Sequence, residues 1–328
     1  MKKRIISLLI GFPLCLIAQI ELSGFFDILY QRDISNRDNI GFNYGQFEVD
    51  ISSPISKYIH IESALVYNPN TQTIEMGAGF IDFHLLGKND GHPIRGKFLT
   101  HSGILLGRFD IPFGIDYLSI PSPEREVVTI PLVNEMTINS WNDFGLNFYG
   151  ADENFNIVLF TANGFNGGVA FGGRTGILMI PNTEFGFSYM ADIENPAQVH
   201  NRVLGMDFQS RLGSNKIKFE YYFSNGVYMG KQDEDHTNNR KHGGYYVQYL
   251  KDFENWLKMP FFSVIRYGEW SAEFDADDNA NYRNRKTLGI GYRVSESVEF
   301  KLEHCLNQIG KENRHDQFTL QTVISFRD

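Results

Sequence analysis

The chain has 328 residues, with 30 Lys and Arg against 39 Asp and Glu and a formal net charge of −9. That balance excludes the basic face on which nucleic-acid binding depends, so no nucleic-acid partner is expected. Aromatic usage is heavy for so polar a chain, with 28 Phe and 16 Tyr.

Residues 1–18 read as an export signal. Lys2, Lys3 and Arg4 precede an apolar run over 5–17, broken by Gly11 and Pro13, and small Ala18 stands at the cleavage position. Lipidation of Cys15 would need a small residue before it, and Leu14 stands there instead. Without residues 1–18 the chain keeps 27 basic and 39 acidic residues, a net charge of −12, and Cys305 alone, which leaves no internal disulfide. Residues 19–328 hold no apolar stretch near the roughly 18 residues that a spanning helix needs. Export, acidity, aromatic content and the lack of such a helix together point to an all-β fold, a transmembrane antiparallel β-barrel of the outer membrane.

The chain in order supports this. A barrel strand carries apolar side chains toward lipid at every second position and polar ones toward the lumen between them. Ile20, Leu22, Phe26, Ile28 and Tyr30 alternate with Glu21, Ser23, Asp27 and Gln31. Phe47, Val49 and Ile51 alternate with Glu48 and Asp50, and Ile59, Ile61 and Leu65 with His60 and Glu62. Further runs fall over 73–86, 103–110, 141–149, 157–161, 173–180, 185–189 and 204–208. Ile217, Phe219, Tyr221 and Phe223 oppose Lys216, Lys218 and Glu220. The last runs cover 245–249, 261–267, 287–294, 298–303 and 317–327, which makes about 16 strands, an even number as closure requires.

Link lengths sort by parity. Short links at 53–56, 150–154, 181–183, 213–214, 252–255 and 295–296 alternate with long polar ones, including 225–241, 269–284 and 307–315. A soluble sandwich has no reason to do this, whereas outer-membrane barrels have short periplasmic turns and longer external loops. The link over 87–101 is too long for a turn, which leaves open a small plug, a short helix or a strand count off by two. The third external loop, about 111–140, is the longest. It has no helical period and is punctuated by Pro112, Gly114, Pro121, Pro123 and Pro131. Long irregular connections in compact proteins are usually functional, and this one is expected to fold into the lumen as a constriction.

The run Leu106, Gly107, Arg108, Phe109, Asp110, Ile111, Pro112, Phe113, Gly114, Ile115, Asp116, followed by Glu124 and Arg125, resembles the phosphate-selective porin family of Gram-negative outer membranes. The resemblance implies a sixteen-stranded barrel, usually trimeric, with this loop narrowing the pore. Asp110 stands where that family's pattern has a basic residue, and no dense arginine ladder is present, so a phosphate preference does not follow.

Six residues are candidates for the pore lining. Arg108 and Asp110, two apart on a strand and opposite Leu105 and Phe109, are expected to face the lumen beside the constriction. There they would form either a transverse field that filters solutes or an ion pair that staples loop to wall. Asp116, Glu124, Arg125 and Glu126 lie in the loop, and the last three read equally as a solvated charge run. Asp275, Asp277, Asp278, Asn279 and Asn281 mimic a Ca²⁺ loop, but Ala280 and Lys286 occupy its glycine and bidentate positions. No metal or cofactor is expected, and the acidic run 232–236 reads as exposed loop. The sequence therefore points to a porin passing small hydrophilic solutes or ions by diffusion, with membrane lipid around it, and the resemblance implies a homotrimer as one assembly open to it. The rivals are a closed barrel presenting its loops for interaction or adhesion, and a lipase, which would need Ser224 beside a histidine at the lipid boundary.

Overall fold

Period-two alternation decides the architecture, because consecutive side chains of a strand stand on opposite faces. The computed structural model describes residues 20–34, 40–68, 72–86, 101–164, 167–194, 198–226, 240–272, 282–310 and 313–327. Its strands are β1 (Glu21–Asp33), β2 (Ile40–Ser56), β3 (Ile59–Asn68), β4 (Thr73–Leu86), β5 (His101–Asp110), β6 (Asn142–Ala151), β7 (Phe155–Asn163) and β8 (Val169–Ile180). They continue as β9 (Thr183–Glu194), β10 (Gln198–Leu212), β11 (Asn215–Gly226), β12 (Arg240–Asp252), β13 (Phe261–Ala272), β14 (Tyr282–Ser295), β15 (Val298–Ile309) and β16 (Asn313–Arg327). Two short helices, α1 (Leu132–Thr137) and α2 (Glu254–Leu257), interrupt them.

Each strand pairs antiparallel with its sequence neighbour, and β1 closes on β16 from Ser23 against Arg327 to Asp33 against Gln317. Closure leaves no unpaired edge. All sixteen expected strands are present. β4 and β5 pair directly, from Gly79 against Arg108 to Leu86 against Ser102, so the strand count needs no revision at the 87–101 link. Residues 87–100 lie outside the described residues, as do the expected signal at 1–18 and the acidic runs at 232–236 and 275–281. Two short links move. β2 runs through Ser56 with a register shift beyond Pro54, a position where a strand tolerates proline. The link after β12 spans 253–260 because α2 inserts one helical turn, ended by Lys258 in the left-handed conformation.

The outer face is apolar: Phe42, Phe144, Phe187, Leu204, Ile265 and Leu288 are all more than half exposed. Buried charged side chains, among them Asp27, Arg174, Asp207, Lys218, Glu220 and Lys301, lie on the inner face. Fully buried apolar side chains gather inside the barrel, where residues 111–141 meet the wall. Ile111, Phe113, Leu132, Val133, Met136, Ile138 and Trp141 pack on Phe160, Met190, Val203, Tyr222, Tyr246 and Trp270. Burial of each large side chain contributes roughly 1.5–3 kcal/mol to holding the loop there.

Candidate functional site

The segment 111–141 joins β5 to β6, and its base is closed by the Ile111 amide donating to the Trp141 carbonyl (2.9 Å). Phe113 then enters the interior and meets Tyr222 edge-on, ring centroids 5.0 Å apart. Gly114 follows at φ +68°, where a Cβ would stand 2.2 Å from the Tyr222 hydroxyl oxygen. Its amide donates to Ser188 Oγ (3.0 Å). The next two amides, of Ile115 and Asp116, both donate to Glu220 Oε1. Glu220 Oε2 accepts from the Tyr222 hydroxyl (2.6 Å) and from Asn134 Nδ2 (3.1 Å), which also reaches Asp116 Oδ2 (3.0 Å). One carboxylate thus holds two distant parts of the loop against β11.

The loop next crosses the interior. Near a short 3₁₀ turn (Ser122–Glu124), the Ser122 hydroxyl donates to the Asp27 carboxylate on β1. Gln321 Nε2 also donates to Asp27 (2.9 Å), and Lys301 Nζ donates to the Ser122 carbonyl (2.5 Å). Arg125 reaches Gln46 Oε1 on β2 (3.1 Å). Glu126 turns back to β11, pairing with Lys216 (2.5 Å) and Lys218 (3.1 Å). The Thr129 amide donates to Glu303 (3.0 Å), and Arg266 donates to the Thr129 carbonyl and hydroxyl. Arg285 holds the Ile130 carbonyl (3.2 Å) and Glu135 (2.8 Å). α1 closes the path against β11, β12 and β13.

Three of the six expected residues therefore meet inside the barrel. Asp116 and Glu126 share Lys218, and Arg125 lies one residue before. Arg125 and Glu126 are paired rather than part of a solvated run. Burial alone would raise the Glu126 carboxyl, but the ammonium groups of Lys218 and Lys216 and their hydrogen bonds hold it well below the usual carboxylate range. Burial lowers the Arg125 guanidinium against the pull of Asp27 and Glu303, and burial raises the Tyr117 phenol. Glu124 is the exposed member. With Glu126, Glu299, Arg211, Lys216, Lys218 and Arg293 it lines a cavity of about 350 Å³ between the loop and the short-turn end of β10–β15.

Arg108 and Asp110 do not join this group. Arg108 pairs with Phe144 and shares the outward side of β5 with Leu106, and its guanidinium bonds Asn142 Oδ1 (2.9 Å) and the Met76 carbonyl (2.8 Å). Asp110 pairs with Asn142, which also bonds its carboxylate. The expectation that Arg108 and Asp110 line the lumen together assumed a polar interior at this height. The interior here is the loop's own apolar core, so Phe109, 3 % exposed, points inward instead.

Sequence reasoning placed Lys216, Lys218 and Glu220 on the inner face but gave no sign of their loop partners, which lie about a hundred residues away. It also passed over a second wall. In register, Glu48 opposes Phe25, Asp50 opposes Ala64, and Glu62 opposes Phe80, so these carboxylates face inward with Asp82. They remain partly exposed. Asp82 accepts the Tyr149 hydroxyl (2.8 Å) and meets His84 Nε2 (3.0 Å), beside His101. Among the described residues no group of three or more His, Cys, Asp or Glu is placed to hold a metal ion. Ser224 opposes His242 in register, but it is fully buried on the inner face and donates to Asn201 Oδ1 (2.6 Å), away from the lipid boundary where a lipase acts.

No family model matches the sequence, and no curated protein matches it. Solved structures do match in fold. The outer membrane channel DcaP of Acinetobacter baumannii superposes at TM-score 0.68 with 11% identity, covering 96% of this chain and 99% of that one. Salmonella typhi OmpF gives 0.66 at 10% identity, with 94% and 98% covered. The trimer form of Vibrio cholerae OmpT gives 0.62 at 8%, with 94% and 99% covered. At such identities the likeness establishes the closed sixteen-stranded barrel and nothing finer.

Proposed function

We propose that this chain is a porin of a Gram-negative outer membrane, a water-filled channel through which small hydrophilic solutes or ions diffuse. The observation that carries the reading is an internal loop that leaves one inner wall wet. Residues 111–141 bond the inner faces of β1, β2, β9 and β11 through β16, while Glu48, Asp50, Glu62 and Asp82 stay partly exposed. The apolar outer face suits lipid, since a closed barrel satisfies every backbone group internally. In this reading residues 1–18 direct export and are removed, the short turns are periplasmic, and residues 111–140 form the constriction. Asp116, Arg125 and Glu126 shape that constriction, with Glu124 at its rim. The trimer form recorded for the Vibrio cholerae neighbour supports a homotrimer, which cross-linking in detergent tests.

The breadth of the loop's contacts favours one second reading, a barrel sealed by the loop that presents its external connections to a partner. Planar-bilayer recording of the refolded protein separates the two: the porin gives stable conductance steps and the sealed scaffold gives none.

A further inference from the structure

The pore reading leaves ion preference open, and the loop treats the two sides of the interior differently. On one side, five basic groups of the wall are bonded to the loop itself. Lys216 and Lys218 meet Glu126, and Lys218 also meets Asp116. Arg266 is taken up by Thr129, Arg285 by Glu135 and the Ile130 carbonyl, and Lys301 by the Ser122 carbonyl. Lys218, Arg266 and Lys301 are at most 4 % exposed as a result. These cations lie behind the loop and spend their charge on it.

On the other side, β2, β3 and β4 present Glu48, Asp50, Glu62 and Asp82 to water. The charged neighbours of Glu62 are Asp50 and Asp82, and Glu48 is hydrogen-bonded to Asp50. The histidines beside Asp82 are His60, His84 and His101. Among the described residues no group of three or more carboxylates or histidines is placed to hold a metal ion.

We propose that the 111–141 loop sets the ion preference of the pore as well as its width. It screens the basic wall of β11–β15 and leaves a wet lane along β2–β4 whose fixed charge is negative, so cations pass in preference to anions. Arg211 and Arg293 lie in the cavity under the loop at the short-turn mouth, together with Glu124 and Glu299, and Arg293 is paired with Asp252. Beyond it Lys218 is committed to Asp116 and Glu126.

The inference rests on the pore reading, and one recording distinguishes their failures. Reversal potentials are measured for the refolded barrel in a KCl gradient at pH 8 and low ionic strength, where the Debye length is about 10 Å or more. The wild type is expected to pass K⁺ over Cl⁻. Glu62→Gln, on the exposed wall, lowers that ratio roughly four- to tenfold, since one unit charge about 6 Å away in water changes the occupancy of each ion about two- to threefold, in opposite senses for K⁺ and Cl⁻. Glu126→Gln shifts it the same way by unscreening two lysines. Arg108→Ala, outside the lane, leaves it unchanged. Conductance with chloride preferred, with no preference, or with a Glu62→Gln ratio equal to wild type overturns the inference and leaves the pore standing. A folded barrel with no conductance overturns the pore reading and this inference with it. Should Glu126→Gln fail to fold, Glu62→Gln decides alone.

Discussion

Glu220 accepts the backbone N–H of Ile115 across 105 residues of sequence, and it accepts that of Asp116 as well. A fully buried carboxylate on the barrel wall thereby fixes the point at which the loop turns inward. Removing the acceptor leaves those buried donors without a partner, which costs about 1–3 kcal/mol for each group. Glu220→Ala should therefore free residues 114–116 and widen the pore. The expected readout is a larger single-channel conductance together with a red shift in emission from Trp141 and Trp270, which sit in the loop–wall core. Unchanged values in both would show that the latch is dispensable.

Gly114 carries a second test of the same geometry. A Cβ there meets Tyr222 Oη at 2.2 Å and Glu220 Oε1 at 2.6 Å in a left-handed backbone, whereas Gly213, also left-handed at φ +60°, has nothing within 4 Å. Gly213→Ala should cost only the backbone strain, of order 1 kcal/mol. Gly114→Ala adds the clash and should undock the loop. Denaturant unfolding of both variants in detergent checks the order, and equal losses would contradict it.

The Glu126 link should survive acid. Its carboxyl is depressed in the folded protein, because the two lysines outweigh burial. A depressed acid stabilises fully above its unfolded value, about 4.3 for glutamate, and loses that contribution only as pH falls through the lower folded value. Tryptophan emission of the wild type is therefore expected to hold between pH 7 and about 4, where half of an ordinary glutamate is protonated. Glu126→Gln, lacking the charge, should show the undocked spectrum already at pH 7. A wild-type transition centred near pH 4.3 would contradict this assignment.

Arg108 provides the opposite expectation. Its guanidinium bonds Asn142 and the Met76 carbonyl on the outward side of β5. Arg108→Ala should lower stability by about 1 kcal/mol or less, as the loss of partly exposed bonds does, with conductance unchanged. A marked change in conductance would place it in the pore after all.

The sequence made the barrel legible because alternation is a local signal repeated in every strand, and the parity of link lengths added direction. Which way β5 faces was not legible. Leu105, Phe109 and Ile111 look lipid-facing by hydropathy, but Phe109 and Ile111 pack on a loop core assembled from positions far apart in sequence. The same holds for Glu124, Arg125 and Glu126, which read as a solvated run until Lys216, Lys218 and Gln46 are brought to them. The acidic wall was visible as single polar positions on β2, β3 and β4. Its meaning appeared only when register aligned them and the loop was seen to cover the opposite side.

The most direct test of the account is single-channel conductance of the refolded wild type beside Glu220→Ala in the same bilayer. A water-filled barrel narrowed by an internal loop gives stable steps in the wild type and larger ones in the variant. A correctly folded wild type without steps would contradict the account and return attention to the external loops.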